Sequence, residues 1–154
     1  MWRIERETPC RHGVTPHCRL SILGYTTDVS EMRILYVQGR LSHPRELSGQ
    51  RKLRFLVDTG AFFSVVPREI LSTLKVSPVG EETVQFADGR RARWKVGEVR
   101  LEVDGRSVTT LVLFGKKETQ PLLGAYSLEG LGLTVDSRRR RLVRRPIVIV
   151  AVAG

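Results

Sequence analysis

Apolar and polar positions alternate over short stretches along most of this chain, with a period near two rather than 3.6. Residues 33–39 (RILYVQG) open the pattern, and it returns at 52–57 (KLRFLV) after a loop at 42–50 containing Pro44 and Gly49. Residues 62–67 (FFSVVP) read as extended up to Pro67, and 68–74 (REILSTL) fit a helical turn or two. Residues 83–96 (TVQFADGRRARWKV) predict a hairpin turning at Asp88-Gly89, and 99–114 (VRLEVDGRSVTTLVLF) predict another turning at Asp104-Gly105. Asp-Gly between alternating strands is a strong hairpin signal, because both central residues of such a two-residue turn need positive φ. Then come 122–124 (LLG), a short helical stretch at 125–131 (AYSLEGL), and strands at 132–136 and 141–146. Many short strands with a turn roughly every ten residues predict an all-β barrel or sandwich. One short helix near the C-terminus is the only helix of any length expected.

The chain has 154 residues, the size of one ordinary domain. At this length folding removes about 70% of the unfolded surface from water, so a core needs no metal or disulfide staple. Net charge is +10, but Arg138, Arg139, Arg140, Arg141, Arg144 and Arg145 supply six of those charges within eight positions. Such a run can grip phosphates. The reading preferred here is a solvated turn and edge strand whose charge discourages aggregation, with no nucleic-acid partner.

Residues 1–31 lack sustained periodicity and read as an N-terminal extension, with the patterned domain spanning 32–146 and an apolar C-terminal strand at 147–154. The start mixes acids and bases without an apolar centre, unlike a secretory signal. No apolar run approaches the ~20 residues that span a bilayer. A reducing cytoplasm and no membrane partner are therefore expected. Cys10, His12, His17 and Cys18 fall together, but their spacing matches no familiar zinc site, so neither metal nor cofactor is expected. The C-terminal strand needs a partner, either its own barrel or a second copy of the chain.

The segment that carries chemistry is Phe55-Leu56-Val57-Asp58-Thr59-Gly60-Ala61. Three apolar residues deliver a carboxylate directly into a tight turn. An unpaired carboxylate is costly to bury, so such an Asp wants a specific partner. Thr59 offers a hydroxyl for bonding across a symmetric interface, Gly60 permits a close turn, and Ala61 leaves room for a ligand. The bland alternative is a turn Asp accepting backbone N–H bonds, yet turn aspartates usually follow polar residues.

From residue 32 to 146 the chain resembles the retropepsin-like aspartic peptidases. The resemblance rests on FLVDTGA followed by SVVP, and on Leu122-Leu123-Gly124 followed by a short helix. It implies a closed β-barrel, a flap hairpin over the site, and a Leu-Leu-Gly element beside the Asp-Thr-Gly loop. It also implies Asp58 as the catalytic residue of an aspartic endopeptidase acting on extended peptide or protein. Two carboxylates a few ångströms apart share a proton; one activates a water and the other supports the developing oxyanion. The sequence has a single Asp-Thr/Ser-Gly, so the resemblance implies a homodimer in which a second Asp58 completes the site. The hairpin tipped by Asp88-Gly89 is either that flap or a plain surface hairpin.

Two positions depart from the viral pattern. Viral members often carry an Asp after Asp-Thr-Gly-Ala and an Arg after the apolar-apolar-Gly element, joined as an ion pair; here those positions are Phe62 and Ala125. Losing both partners strands no charge and predicts an apolar patch near the site. Two rival functions remain from the sequence. One is a catalytically silent, dimeric peptide- or protein-binding module, and the other is a nucleic-acid contact through the arginine stretch.

Overall fold

The computed structural model describes residues 34–46 and 49–146, together with the backbone of residues 19–22 and 25–28. The chain divides into two compact units, 1–33 and 34–154. In the first, β1 (Arg19–Ile22) and β2 (Tyr25–Asp28) pair antiparallel. The Cys10–Cys18 stretch and the apolar strand expected at 147–154 lie outside the described residues.

The second unit begins with β3 (Tyr36–Ser42) and β4 (Arg51–Val57), joined by the Pro44 loop and paired antiparallel. Then follow β5 (Ser64–Pro67), α1 (Arg68–Thr73), β6 (Pro78–Gln85), β7 (Arg91–Val103) and β8 (Arg106–Gly115). The chain continues with β9 (Leu122–Leu123), α2 (Ala125–Gly130), β10 (Leu133–Asp136) and β11 (Arg141–Arg144). Neighbours run β3-β4-β9-β5-β8-β7, and β7 pairs back onto β3, closing a six-stranded barrel. Closure leaves no free edge within the ring. The fold is the all-β closed barrel that the sequence predicts.

Side-chain alternation fills the interior. In β4 Phe55 is fully buried while Arg51, Lys52 and Arg54 face solvent; Leu41, Val66, Val99, Leu101, Val112 and Leu123 complete the wall. Leu71 of α1 and Leu128 of α2 join the same core. β7 is long enough for two tasks. Its second half belongs to the barrel through β3 and β8, whereas among the described residues Arg91 to Lys95 pair only with β6. β6 is exposed along nearly its whole length, so β6 and the start of β7 form an arm standing off the core.

The structure departs from the sequence reading at two places. There are two six-residue helices: the one expected near the C-terminus, and a second of equal length where only a helical turn or two is read at 68–74. Pro67, at φ −52°, enters α1 already close to the helical φ, and Leu71 and Leu74 bury beneath it; tertiary burial sustains a helix too short to stand alone. The two Asp-Gly turns also differ. At Asp104 (φ 51°) and Gly105 (φ 72°) both central residues are left-handed, as predicted. At the other turn only Gly89 (φ 82°) is. Gly89 N–H donates to Phe86 O (2.9 Å) and Phe86 N–H donates to Arg90 O (2.8 Å). The loop is therefore three residues, Ala87-Asp88-Gly89, with the glycine in the left-handed position such loops require.

The arginine stretch forms a hairpin with β10. Arg138, Arg139 and Arg140 occupy the turn, where Asp136 Oδ1 accepts from the Arg138 and Arg139 N–H groups at 3.1 Å each. All six arginines are exposed. No helix among the described residues is long and apolar enough to cross a membrane.

Candidate active site

Asp58 lies one residue past β4, where the strand leaves the barrel wall. Its N–H donates to Leu123 O at 3.0 Å, and Leu56 and Val57 pair in parallel with Leu122 and Leu123. Only two residues of β9 bridge β4 to β5, so Leu122-Leu123 is the piece that holds the Asp58 strand end in the ring. The carboxylate is half-buried, and its Oδ1 accepts the Gly60 N–H at 2.9 Å. Ala61 N–H closes the turn onto Asp58 O at 3.3 Å. Thr59 and Gly60 are exposed. The Thr59 hydroxyl has no partner among the described residues.

Gly124 brings α2 against this loop. Ala125 N–H donates to Ala61 O (2.8 Å) and Tyr126 N–H to Phe62 O (3.0 Å), so the first turn of α2 is satisfied by the Asp58 loop. A Cβ at Gly124 would sit 2.6 Å from the Phe63 carbonyl carbon and oxygen and 2.8 Å from Phe62 O. Only glycine permits that approach. The Leu122-Leu123-Gly124 element thus adjoins the Asp-Thr-Gly loop through backbone bonds on both sides.

Beneath the loop is a polar network that the sequence reading missed. Ser64, Thr110 and Ser127 are all buried. Ser64 Oγ accepts the Gly124 N–H at 3.0 Å and lies 2.7 Å from Ser127 Oγ, which lies 3.0 Å from Thr110 Oγ1. The one sequence signal was Ser64, a hydroxyl at the head of the buried run SVVP, because a buried hydroxyl requires a partner.

The apolar patch expected from Phe62 and Ala125 is present as rings. Phe62 and Phe63 meet edge to face at 4.8 Å, and Tyr126 lies 5.6 Å from Phe62 and 5.9 Å from Phe63. Phe62 remains 64% exposed and Tyr126 44%, so this aromatic surface is offered outward.

A cleft of about 550 Å³ separates the loop from the β6–β7 arm. Its floor includes Gly60, Ala61, Phe62 and Phe63; its roof includes Glu82, Val84, Phe86 and Trp94. Phe86 and Trp94 pack edge to face at 6.0 Å. The cleft meets the loop at Gly60 and Ala61, two residues beyond the carboxylate. Asp88 and Gly89 sit at the arm's tip and are exposed. A separate open groove of about 530 Å³, bordered by Arg40, Lys52 and Glu102, touches none of the predicted site residues. No group of three or more His, Cys, Asp or Glu stands close enough to hold a metal among the described residues.

A closed barrel with an Asp-Thr-Gly loop at its mouth and an arm across a cleft defines the class of an aspartic peptidase fold. The aspartyl protease family model matches residues 44–126, more than half of the chain, and the chain belongs to that family. No curated protein matches it in sequence. Among solved structures, the foamy viral protease–reverse transcriptase in complex with an RNA/DNA hybrid is 18% identical, with TM-score 0.48. That match covers 63% of this chain and 12% of the other. Simian foamy virus (mac) protease in solution is 20% identical with TM-score 0.45, covering 61% of this chain and 91% of its own.

Proposed function

We propose that this protein is an aspartic endopeptidase whose site is completed by a second copy of the chain, each contributing one Asp58. The observation that carries this reading is the Asp58 loop itself. A half-buried carboxylate stands at the end of a barrel strand, fixed by Leu123 and by its own Gly60 N–H, next to an exposed Thr59 whose hydroxyl has no partner among the described residues. One carboxylate alone does not perform the chemistry. A two-fold axis through the loop supplies the second and gives Thr59 a place to bond. The pair then shares one proton, the ionised member drawing a proton from water as that water attacks the peptide carbonyl.

The cleft supports an extended substrate. Peptide backbone enters between the floor at Gly60-Ala61 and the roof of β6, adding to the arm as a strand would. Gly89 at the tip, with open space around it, suits an arm that lifts to admit substrate and closes to exclude water. Asp88 and Gly89 act there as the moving tip.

The test is cleavage of a diverse peptide mixture, read by mass spectrometry, for wild type and Asp58→Asn. Wild type is expected to cut, with specific activity rising as subunit concentration rises, and the variant is expected to be silent. A variant that cuts as well as wild type refutes the reading. A wild-type protein that binds peptides and cuts none supports a binding module in its place.

A further inference from the structure

The cleft between the Asp58 loop and the arm has an unusual charge. The chain carries 26 Lys and Arg against 16 Asp and Glu, yet among the described residues the one charged side chain lining this cleft is an acid, Glu82. Strand parity puts it there. Glu82 pairs directly across from Trp94, and residues opposite each other share a face of the sheet. Phe86, two pleats further along, contacts Trp94 from that same face. Glu82 makes no hydrogen bond or ion pair with any described residue.

The nearby cations are engaged or turned elsewhere. Arg93 pairs with Glu81 at 3.0 Å on the opposite face of the arm, and Arg90 pairs with Asp88 at the tip. Arg68, Arg93 and Lys95 border the neighbouring groove on the far side of Trp94, and Arg68 is paired with Glu69 at 3.3 Å. The floor of the same cleft is aromatic, with Phe62 and Phe63. Phe86 already accepts one cation, the Arg90 guanidinium carbon at 5.7 Å from its ring centre.

An unpaired carboxylate beside ring faces is an environment for a long cationic side chain. The carboxylate takes the charged head, and the rings take the stem and attract the cation through their quadrupoles. We propose that Glu82, with Trp94, Phe86 and Phe62, forms a specificity site that selects a substrate carrying Arg or Lys at the position seated in this cleft. This inference rests on the peptidase reading of the same cleft and adds the side chain that it chooses.

The test compares peptides that differ at a single position, holding Arg, Lys, citrulline, norleucine or Glu, scanned across the cleavage site. Citrulline keeps the shape of Arg without its charge. Wild type is expected to favour Arg or Lys at one position over citrulline by about tenfold in kcat/KM, in keeping with a partly exposed cation–aromatic and ion-pair contact. Glu82→Gln is expected to erase that preference, bringing Arg, Lys and citrulline peptides to similar kcat/KM, and Glu82→Lys to reverse it toward Glu. Glu82 is exposed and bonds no described residue, so neither change threatens folding. Equal use of Arg and citrulline at every position, or a preference surviving Glu82→Gln, overturns the assignment. The same peptides, fluorescently tagged and bound to wild type and to Asp58→Asn, are read by anisotropy. If wild type cuts nothing, the peptidase reading fails, and the Arg-over-citrulline preference in binding alone decides whether Glu82 selects a cation.

Discussion

Gly124→Ala is the sharpest perturbation of the site, because its cost is steric and independent of backbone preference. Gly124 sits at φ −88°, ψ 171°, a conformation that alanine adopts freely. The added methyl would meet the Phe63 carbonyl carbon and oxygen at 2.6 Å and Phe62 O at 2.8 Å. Carbon atoms pack at about 3.5–4.0 Å, so relief needs a separation of roughly 1 Å. The obstacles are backbone atoms, which no rotamer change removes. They are also held by Ala125 N–H to Ala61 O at 2.8 Å and Tyr126 N–H to Phe62 O at 3.0 Å. Stretching two such bonds costs about 1 kcal/mol each, and the residual overpacking adds about 1 kcal/mol more. The expected loss is about 3 kcal/mol.

Urea unfolding followed by circular dichroism measures that loss, and a melt should fall by about 10 °C for a unit of this size. Peptide cleavage should fall further than stability does, since the displacement needed moves residues 61–63 and with them the Asp58 turn. Gly89→Ala is the control. It has φ 82° and nothing within 4 Å, so it should cost only the left-handed strain, about 1 kcal/mol. If Gly124→Ala unfolds within about 0.5 kcal/mol of wild type and cleaves normally, the close approach of α2 to the Asp58 loop is not what fixes the site.

Other substitutions separate the parts of the site. Ser64→Ala strands the Gly124 N–H and removes a partner from buried Ser127, so it should lower unfolding free energy by about 2 kcal/mol. Phe62→Ala removes a ring that is 64% exposed but shared by two of the three aromatic contacts, so stability should fall by about 1–2 kcal/mol while kcat/KM falls several-fold; a loss above about 3 kcal/mol would place Phe62 in the core instead. Replacing Arg138, Arg140, Arg141 and Arg144 by Ser should leave unfolding within about 0.5 kcal/mol, because none of the four has an acidic partner among the described residues.

Much of the architecture was legible because local chemistry and tertiary structure agree. The alternation of β4 and the apolar lead-in to Asp58 needed only the strand period, and Asp104-Gly105 needed only the φ demands of a two-residue turn. What escaped depended on contacts between distant segments. Ser127 acquires its partners from residues 63 and 17 positions away, and no local pattern brings those hydroxyls together. The helical turn or two read at 68–74 became a full element, α1, because its burial sustains it. At Asp88-Gly89 the hairpin was legible and its loop length was not, because one added loop residue changes which positions need positive φ, and Asp-Gly occurs in both loop lengths.

The two departures from the viral pattern and the charge of the cleft belong to one physical scheme. An Asp at position 62 paired with an Arg at 125 would put an already neutralised carboxylate on the floor. With Phe62 and Ala125 the floor is uncharged, and the rings of Phe62, Phe63 and Tyr126 hold one another at 4.8 to 5.9 Å. Aromatic pairs of this geometry contribute about 0.5–1.5 kcal/mol beyond their burial, so the loop and α2 stay joined without an ion pair. The free carboxylate of the cleft is then on the roof, at Glu82 of the arm. On the proposed function, with an arm that lifts and closes, a cation seated on the aromatic floor would gain its counter-charge only as the arm comes down. Selection and closure would then be one event, and a substrate lacking the cation should be weaker in kcat as well as in KM, since the arm would have less reason to stay shut. Glu82→Gln tested on an Arg peptide distinguishes this from plain binding: a change confined to KM would show that Glu82 holds the substrate without helping the arm to close.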